Sequence, residues 1–489
     1  MADGRTNRIG VAISIGLVAV SARAAWAAPA PPSGEPLAVE STALVPLGSE
    51  SLLSVTGVRG QISIETRDER ELRVISRELG QNGADRPIGI WQNGQTMIVA
   101  PAPGDKGGPG FLHIEIPRRF SIAVEAAESD VAILAAGGSI DLRGKDLRVT
   151  IQGDEGSVSA DLEAGTLNLL SSSEAVLKLR GTATVIAEMT GNVGIHATGG
   201  KLALSKIQGS ADVDSEGSTI AAEANTGSLH VKSRNGEINA TGNKGPAEFE
   251  LAATPLHLKD SSGDVTVSSD GHVDFQTMSG AMHFDMSGGM VRGKGVKGGV
   301  DIVGHGTEVN VEALENGLRL AGDGIRAKLL NLAGELNVDV TNSDIGADQT
   351  GSVVAKIDRG SLSLQRATGA VQASLVGGDV HVIDVTAAVA VDLDGGDADV
   401  SWASLSGDKD SQLVNKTGRI TVTFPVSGSC RVDAKTKYGR IDSALSAVKV
   451  SDDLSSAAGP VNGGSRPVVH VTANGDIHLQ NAQVASGDE

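Results

Sequence analysis

Gly227-Ser228-Leu229-His230-Val231 is the stretch from which the fold is read. It places a glycine ahead of two apolar residues separated by one polar residue. The same unit recurs as Gly191-Asn192-Val193-Gly194-Ile195 and Gly263-Asp264-Val265-Thr266-Val267, and copies arrive about every nine residues. An apolar-x-apolar triplet is a short alternating strand, with two side chains on one side and the middle one on the other. A period of two, with dense Gly and β-branched residues, excludes a helix. The glycines, often preceded by Thr, Ser or Asn, read as turn residues at positive φ.

A longer period lies above the short one. The middle residues of every third unit include Lys178, Ala203, His230, His257, His283 and Asn310, with steps near 27. This spacing predicts an all-β fold: a parallel β-helix (β-solenoid) with about three short strands and about 27 residues per coil, closed by terminal capping regions. A two-strand coil of about 18 residues is the alternative. Val193, Ile195, Leu229, Val231, Leu256 and Leu258 belong to the inward set, which meets in a thin apolar core. One coil cannot bury its apolar side alone, so stability comes from stacked neighbours. Aromatics at only 2% suit such a narrow core, and 64 glycines without a period of three suit punctuation between short strands.

The regular register covers 113–400. Residues 44–112 read as an N-terminal β cap or first irregular coils, with a charged run at Arg67 to Arg73 suited to an edge. Residues 401–489 read as C-terminal β coils or a cap, and the Pro- and Ala-rich 28–43 as a linker. Residues 1–27 read as a signal peptide. Arg5 and Arg8 are followed by an apolar run, Ile9 to Val20, shorter than the ~20 residues a membrane span needs. Ala25-Trp26-Ala27 fits the small-x-small cleavage pattern, with cleavage expected after Ala27. The product is expected to be exported to the periplasm, outer surface or extracellular space, with no integral membrane segment after signal removal. A net charge of −19 argues against a nucleic-acid partner. Cys430 is the single cysteine, which excludes an internal disulfide and reads as a buried, inert thiol.

Other segments carry a family likeness. They are VTGVRGQISIETRDERELRV (Val55 to Val74), the repeated GDV and GSI units, KTGRITVTFPVSGSCRVDAKTKYGRI (Lys416 to Ile441) and the closing VTANGDIHLQ (Val471 to Gln480). Together they resemble the bacterial secreted β-strand-repeat family of unknown function, described as putative adhesins. The resemblance covers most of the chain beyond residue 27 and transfers no catalytic residue.

Chemistry is sparse. The sequence has no Gly-x-Ser-x-Gly elbow, no His-Glu-x-x-His, no cysteine pair and no phosphate loop. No catalytic residue, cofactor or metal ligand is assigned. Asp392, Asp394, Asp397 and Asp399 form the densest acidic group, but Ala398 and Val400 break the calcium-binding β-roll pattern. His230, His257 and His283 are expected to stack as an exposed ladder on one face. Arg292 and Arg319 are expected on neighbouring coils near Asn239 and Thr266. Trp91 and Trp402 fall outside the regular coils.

The reading is therefore an exported non-enzymatic envelope or surface protein, an adhesin or structural scaffold. A carbohydrate-active β-helix enzyme, a polysaccharide lyase or hydrolase, is the alternative. Its partner would be a surface, glycan or envelope component, with end-to-end self-association as a further option.

Overall fold

The structure, a computed structural model, describes residues 36–48, 51–78, 86–104, 110–405 and 409–482. The expected signal peptide, most of the expected linker and the last seven residues lie outside them. The described residues form strands and turns, with no helix. Between the ends, each strand pairs in parallel with the equivalent strand of the next coil: Ala175 lies beside Val193, Val193 beside Ala211, and Ala211 beside Leu229. The fold is the expected β-solenoid. Its coil holds two strands rather than three, however, and the step from one coil to the next is 18 rather than 27. Seventeen coils run from Ser121 to Phe424. At the strand spacing they make a stack ~80 Å long.

The first strands of successive coils make a front face and the second strands a back face. In the coil of Leu229–Arg234 and Glu237–Thr241, the front strand buries Leu229, Val231 and Ser233 and the back strand buries Ile238 and Ala240. Inward side chains of both faces meet directly, so the core is one layer thick between two sheets. Phe249, Phe275 and Phe284 are buried in it.

Each coil turns through two corners, and backbone dihedrals show what bends the chain. Glu128, Asp146, Ala164, Gly181, Gly199 and Gly217 have left-handed φ at one corner; Ala135, Gly153, Ser171, Glu188, Lys206 and Ala224 have it at the other. Most of the second set are not glycine, so stacking imposes the conformation against local preference. The glycines of the repeat unit do something different from the expected turn role. Gly209, Gly227 and Gly245 do not have positive φ; a Cβ on each would overlap the carbonyl oxygen of the glycine one coil earlier. Close backbone approach selects glycine in that column.

A buried polar column follows the second corner. Asn225 donates from Nδ2 to Asn243 Oδ1 at 3.0 Å, and its own Oδ1 accepts from the Ile207 amide at 2.9 Å. Asp154 stands in the same column, four coils before Asn225. The Gly156 amide donates to its Oδ1 at 3.0 Å, while its Oδ2 is buried without a hydrogen-bond partner. Burial pushes the Asp154 carboxyl above its ordinary value, opposed by the Gly156 amide and aided by Glu155. The folded state therefore holds the proton more tightly than the unfolded chain. Stability from this group is greatest below the ordinary carboxylate value and is lost as pH rises through the folded one. Asp154→Asn removes that loss. Thermal melts are expected to show a higher Tm for the variant at pH 7 and no gain at pH 3.

The ends depart from simple stacking. The strands Leu52–Thr56 and Gly60–Arg67 lie between two later pairs: Thr96–Pro101 and Gly110–Pro117 outside, Ser121–Ala127 and Ser129–Leu134 inside. Antiparallel strands Glu71–Glu78 and Ile88–Asn93 cover them, and Ala38–Glu40 and Thr42–Pro46 form the outer edge. The expected linker 28–43 therefore contributes edge strands from Ala38 onward. At the other end, Val468–Ala473 sits between Ser411–Asn415 and Cys430–Thr436, and Ile477–Asn481 between Ile420–Phe424 and Ile441–Ser443. Ser456–Val461 then pairs antiparallel as a cover.

The stack continues beyond residue 400. Ala398–Trp402 pairs with Ile420–Phe424 and continues the back face. Trp402 is buried inside the coils, against expectation: its ring stacks on Phe424 at 6.1 Å and its Nε1 donates to the Ala387 carbonyl at 3.2 Å. Trp91 lies in the N-terminal cap, packed with Ile98 and Ala100 on a small separate core. Cys430 is fully buried, and desolvation pushes its thiol up to about 11, as an inert thiol requires.

Candidate functional site on the two faces

The shorter coil decides which outward side chains are neighbours. On the front face one column runs Asp212, His230, Glu248, Thr266, His283, Asp301, Arg319. Beside it runs Glu125, Arg143, Asp161, Lys178, His196, Asp214, Lys232, Glu250. Charge alternates along much of the second column. Opposite charges one strand spacing apart favour pairing in register, and Lys232 meets Glu250 at 3.0 Å. These pairs are exposed, so each contributes ~0–1 kcal/mol. Their effect is to fix which groups the face presents.

The back face carries its own column: Asn239, His257, Asp274, Arg292, Asn310, Lys328. The expected histidine ladder is therefore corrected. His230 and His283 lie on the front face three coils apart, and His257 lies on the back. A step of 27 is one and a half coils, which exchanges faces while keeping the outward phase. Arg292 and Arg319 are separated for the same reason, on the back and front faces respectively. The acidic group divides at the Gly395-Gly396 corner. Asp392 and Asp394 end the front strand; Asp397 and Asp399 lie on or beside the back strand. Asp394 pairs with Lys416 at 3.1 Å and Asp399 with His381 Nδ1 at 3.0 Å. Asp397 accepts from the Arg419 amide at 2.9 Å, which holds its carboxyl below the usual value, with Arg419's side chain adding to the effect. The four carboxylates do not converge.

A regularity appears that the longer period hid. Four histidines of the coils meet an aspartate of the following coil through Nδ1: His196 with Asp214 at 3.3 Å, His257 with Asp274 at 3.2 Å, His283 with Asp301 at 3.1 Å and His381 with Asp399 at 3.0 Å. His230 differs, because its aspartate, Asp212, lies in the preceding coil at 3.5 Å.

Two of the depressions along the faces lie on these columns. The front one, about 660 Å³, centres on outward Val176 and Gly194 and is rimmed by Asp161, Lys178, His196 and Asp214. Val176 remains 45% exposed. The back one, about 750 Å³, includes His257, Asp274, Arg292, Lys294 and Lys328. Both are open to solvent along the stack.

Residues 59–301 match the model of the family described as Toastrack DUF4097. This segment is similar to the Toastrack family. The match agrees with the resemblance to a β-repeat family of unknown function. The matched segment begins in the N-terminal cap and ends at Asp301, where the register continues unbroken to Arg319. The solenoid thus extends beyond it by the same rule. Among solved structures, a putative cell adhesion protein from Clostridium sporogenes ATCC 15579 is similar at 7% identity, covering 91% of this chain and 100% of that one, with a TM-score of 0.13. A likeness at that score carries no argument. No curated protein matches the sequence. Among the described residues, no helix is long and apolar enough to cross a membrane.

Proposed function

We propose that this chain is an exported, non-enzymatic adhesin-like scaffold of the bacterial envelope or surface, and that its flat faces bind an extended surface polymer such as a glycan. The observation that carries the reading is the pair of long ladder faces. Each presents polar and charged groups at the strand spacing over many coils, which suits repeated weak contacts with an extended partner. The depressions are shallow and open rather than enclosed, which suits binding along a surface more than turnover in a pocket. Edges at both ends are short: Ala38–Glu40 and Thr42–Pro46 at one, Lys449–Val450 and Ile441–Ser443 at the other. Short edges, one ending in proline, oppose strand addition, which favours a discrete rod over end-to-end polymer.

The test combines cell fractionation of the native protein with a glycan-binding screen of the full chain. A bound glycan is expected, and Val176→Glu with Lys178→Glu is expected to weaken it at least tenfold without shifting the Tm. Release of new reducing ends from the glycan, or unchanged binding by the double variant to every hit, overturns the reading.

A further inference from the structure

We infer that His230, Glu248 and Glu250 form a divalent transition-metal site on the front face, of a kind suited to zinc. Among the described residues this is the one cluster of three or more metal-ligating side chains whose donor atoms lie within 4.8 Å of one another. One imidazole and two carboxylates is a donor set that zinc accepts, leaving a further position for water or a partner's oxygen. The cluster arises from the coil geometry. Glu248 lies directly beside His230 in the next coil, and Glu250 is the next outward residue on the same strand.

The second observation is the orientation of the ring. His230 Nδ1 faces Asp212 in the preceding coil at 3.5 Å, and Nε2 faces Glu250 in the following coil at 3.9 Å. A carboxylate on one ring nitrogen fixes the tautomer that leaves the other free to ligate. His196, His257 and His283 each spend Nδ1 on an aspartate, yet none belongs to a cluster of three donors among the described residues. His230 alone has its orienting acid behind it and two acids ahead. Lys232 is the competitor, since its Nζ lies 3.0 Å from Glu250 Oε2. That pair is solvent-exposed and therefore weak, so a divalent ion is able to displace it.

The full chain titrated with zinc chloride by calorimetry is expected to take up one equivalent at this site. Cobalt substitution is expected to give a visible d–d band, which reports ligation independently of heat. His230→Ala, and separately Glu248→Gln with Glu250→Gln, are expected to abolish that uptake. Asp212→Ala is expected to weaken it roughly 10–100-fold, whereas Lys232→Gln is expected to strengthen it. His257→Ala and His283→Ala serve as controls and should bind as the parent does. Circular dichroism of each variant separates lost binding from lost folding. Equal uptake by the parent and His230→Ala, or the absence of a cobalt band in the parent, overturns the assignment. Neither result bears on glycan binding at Val176 and Lys178, which is tested without metal.

Discussion

Replacing Gly293 with valine should break the solenoid in its middle. Gly293 is an inward position of the back strand Met290–Val296, directly beside Phe275 in the preceding coil. A Cβ there would overlap the Phe275 ring. Phe275 in turn stacks on Phe284 of the front face, with centroids 5.6 Å apart and planes 23° apart. Two large rings from opposite sheets therefore meet across a one-layer core, and the missing side chain at 293 makes the room. Such a core has no second layer to absorb a displaced ring. Overpacking costs on the order of 3 kcal/mol, and more where the backbone cannot shift. Because each coil contacts only its neighbours, the damage stays local. Limited proteolysis is therefore expected to cut the variant between residues 272 and 296 while both flanking stacks resist. Phe275→Leu should rescue Gly293→Ala in a double-mutant cycle. A Gly293→Val protein with parental Tm and parental protease resistance would refute this account of the core.

Removing residues 467–489 is the second change with a large expected effect. It excises an interior rung, since Val469 lies between Ser411 and Val432, and Ile477 between Ile420 and Ile441. Val469, Val471, Ile477 and Leu479 are all buried. At about 1.5–3 kcal/mol for each fully buried apolar side chain, their loss approaches ~6–12 kcal/mol as an upper bound. The strands on either side also lose hydrogen-bond partners. The expected result is a protease-resistant core ending near residue 405, with 411–450 digested rapidly. Persistent protection of 430–450 in the truncated protein would show that the cap folds without this rung.

How much of this was legible in the sequence depends on which period was read. Alternation within units such as Leu229-His230-Val231 exposes strand and facing correctly, because polarity reports inward against outward. It does not report which face, so a step of 27 passes unnoticed from front to back. Gly191, Gly227 and Gly263 are spaced by 36, which is two coils of 18 and no multiple of 27. Those glycines held the answer, because backbone approach to the preceding coil ties them to one side. The same error hid the candidate metal site: Glu248 becomes His230's neighbour only once the period is 18. The rung insertions were not legible. No local pattern in Val469 to Val471 distinguishes an interior strand from an outer one, as both are buried and β-branched. Asp154 was likewise silent, since Gly153-Asp154-Glu155-Gly156 looks like any exposed turn.

The inserted rungs also determine how the molecule answers a pull. Tension on the C-terminal end enters at Ile477–Asn481, a strand hydrogen-bonded on both sides. Tension on the N-terminal end first meets Ala38–Glu40 and Thr42–Pro46, each bonded on one side only. The first geometry loads two ladders together, whereas the second peels open one bond at a time. The rod thus has a firm end and a yielding end. Force applied along the chain spends itself on the short edge strands before it reaches the interior rung at Leu52–Thr56.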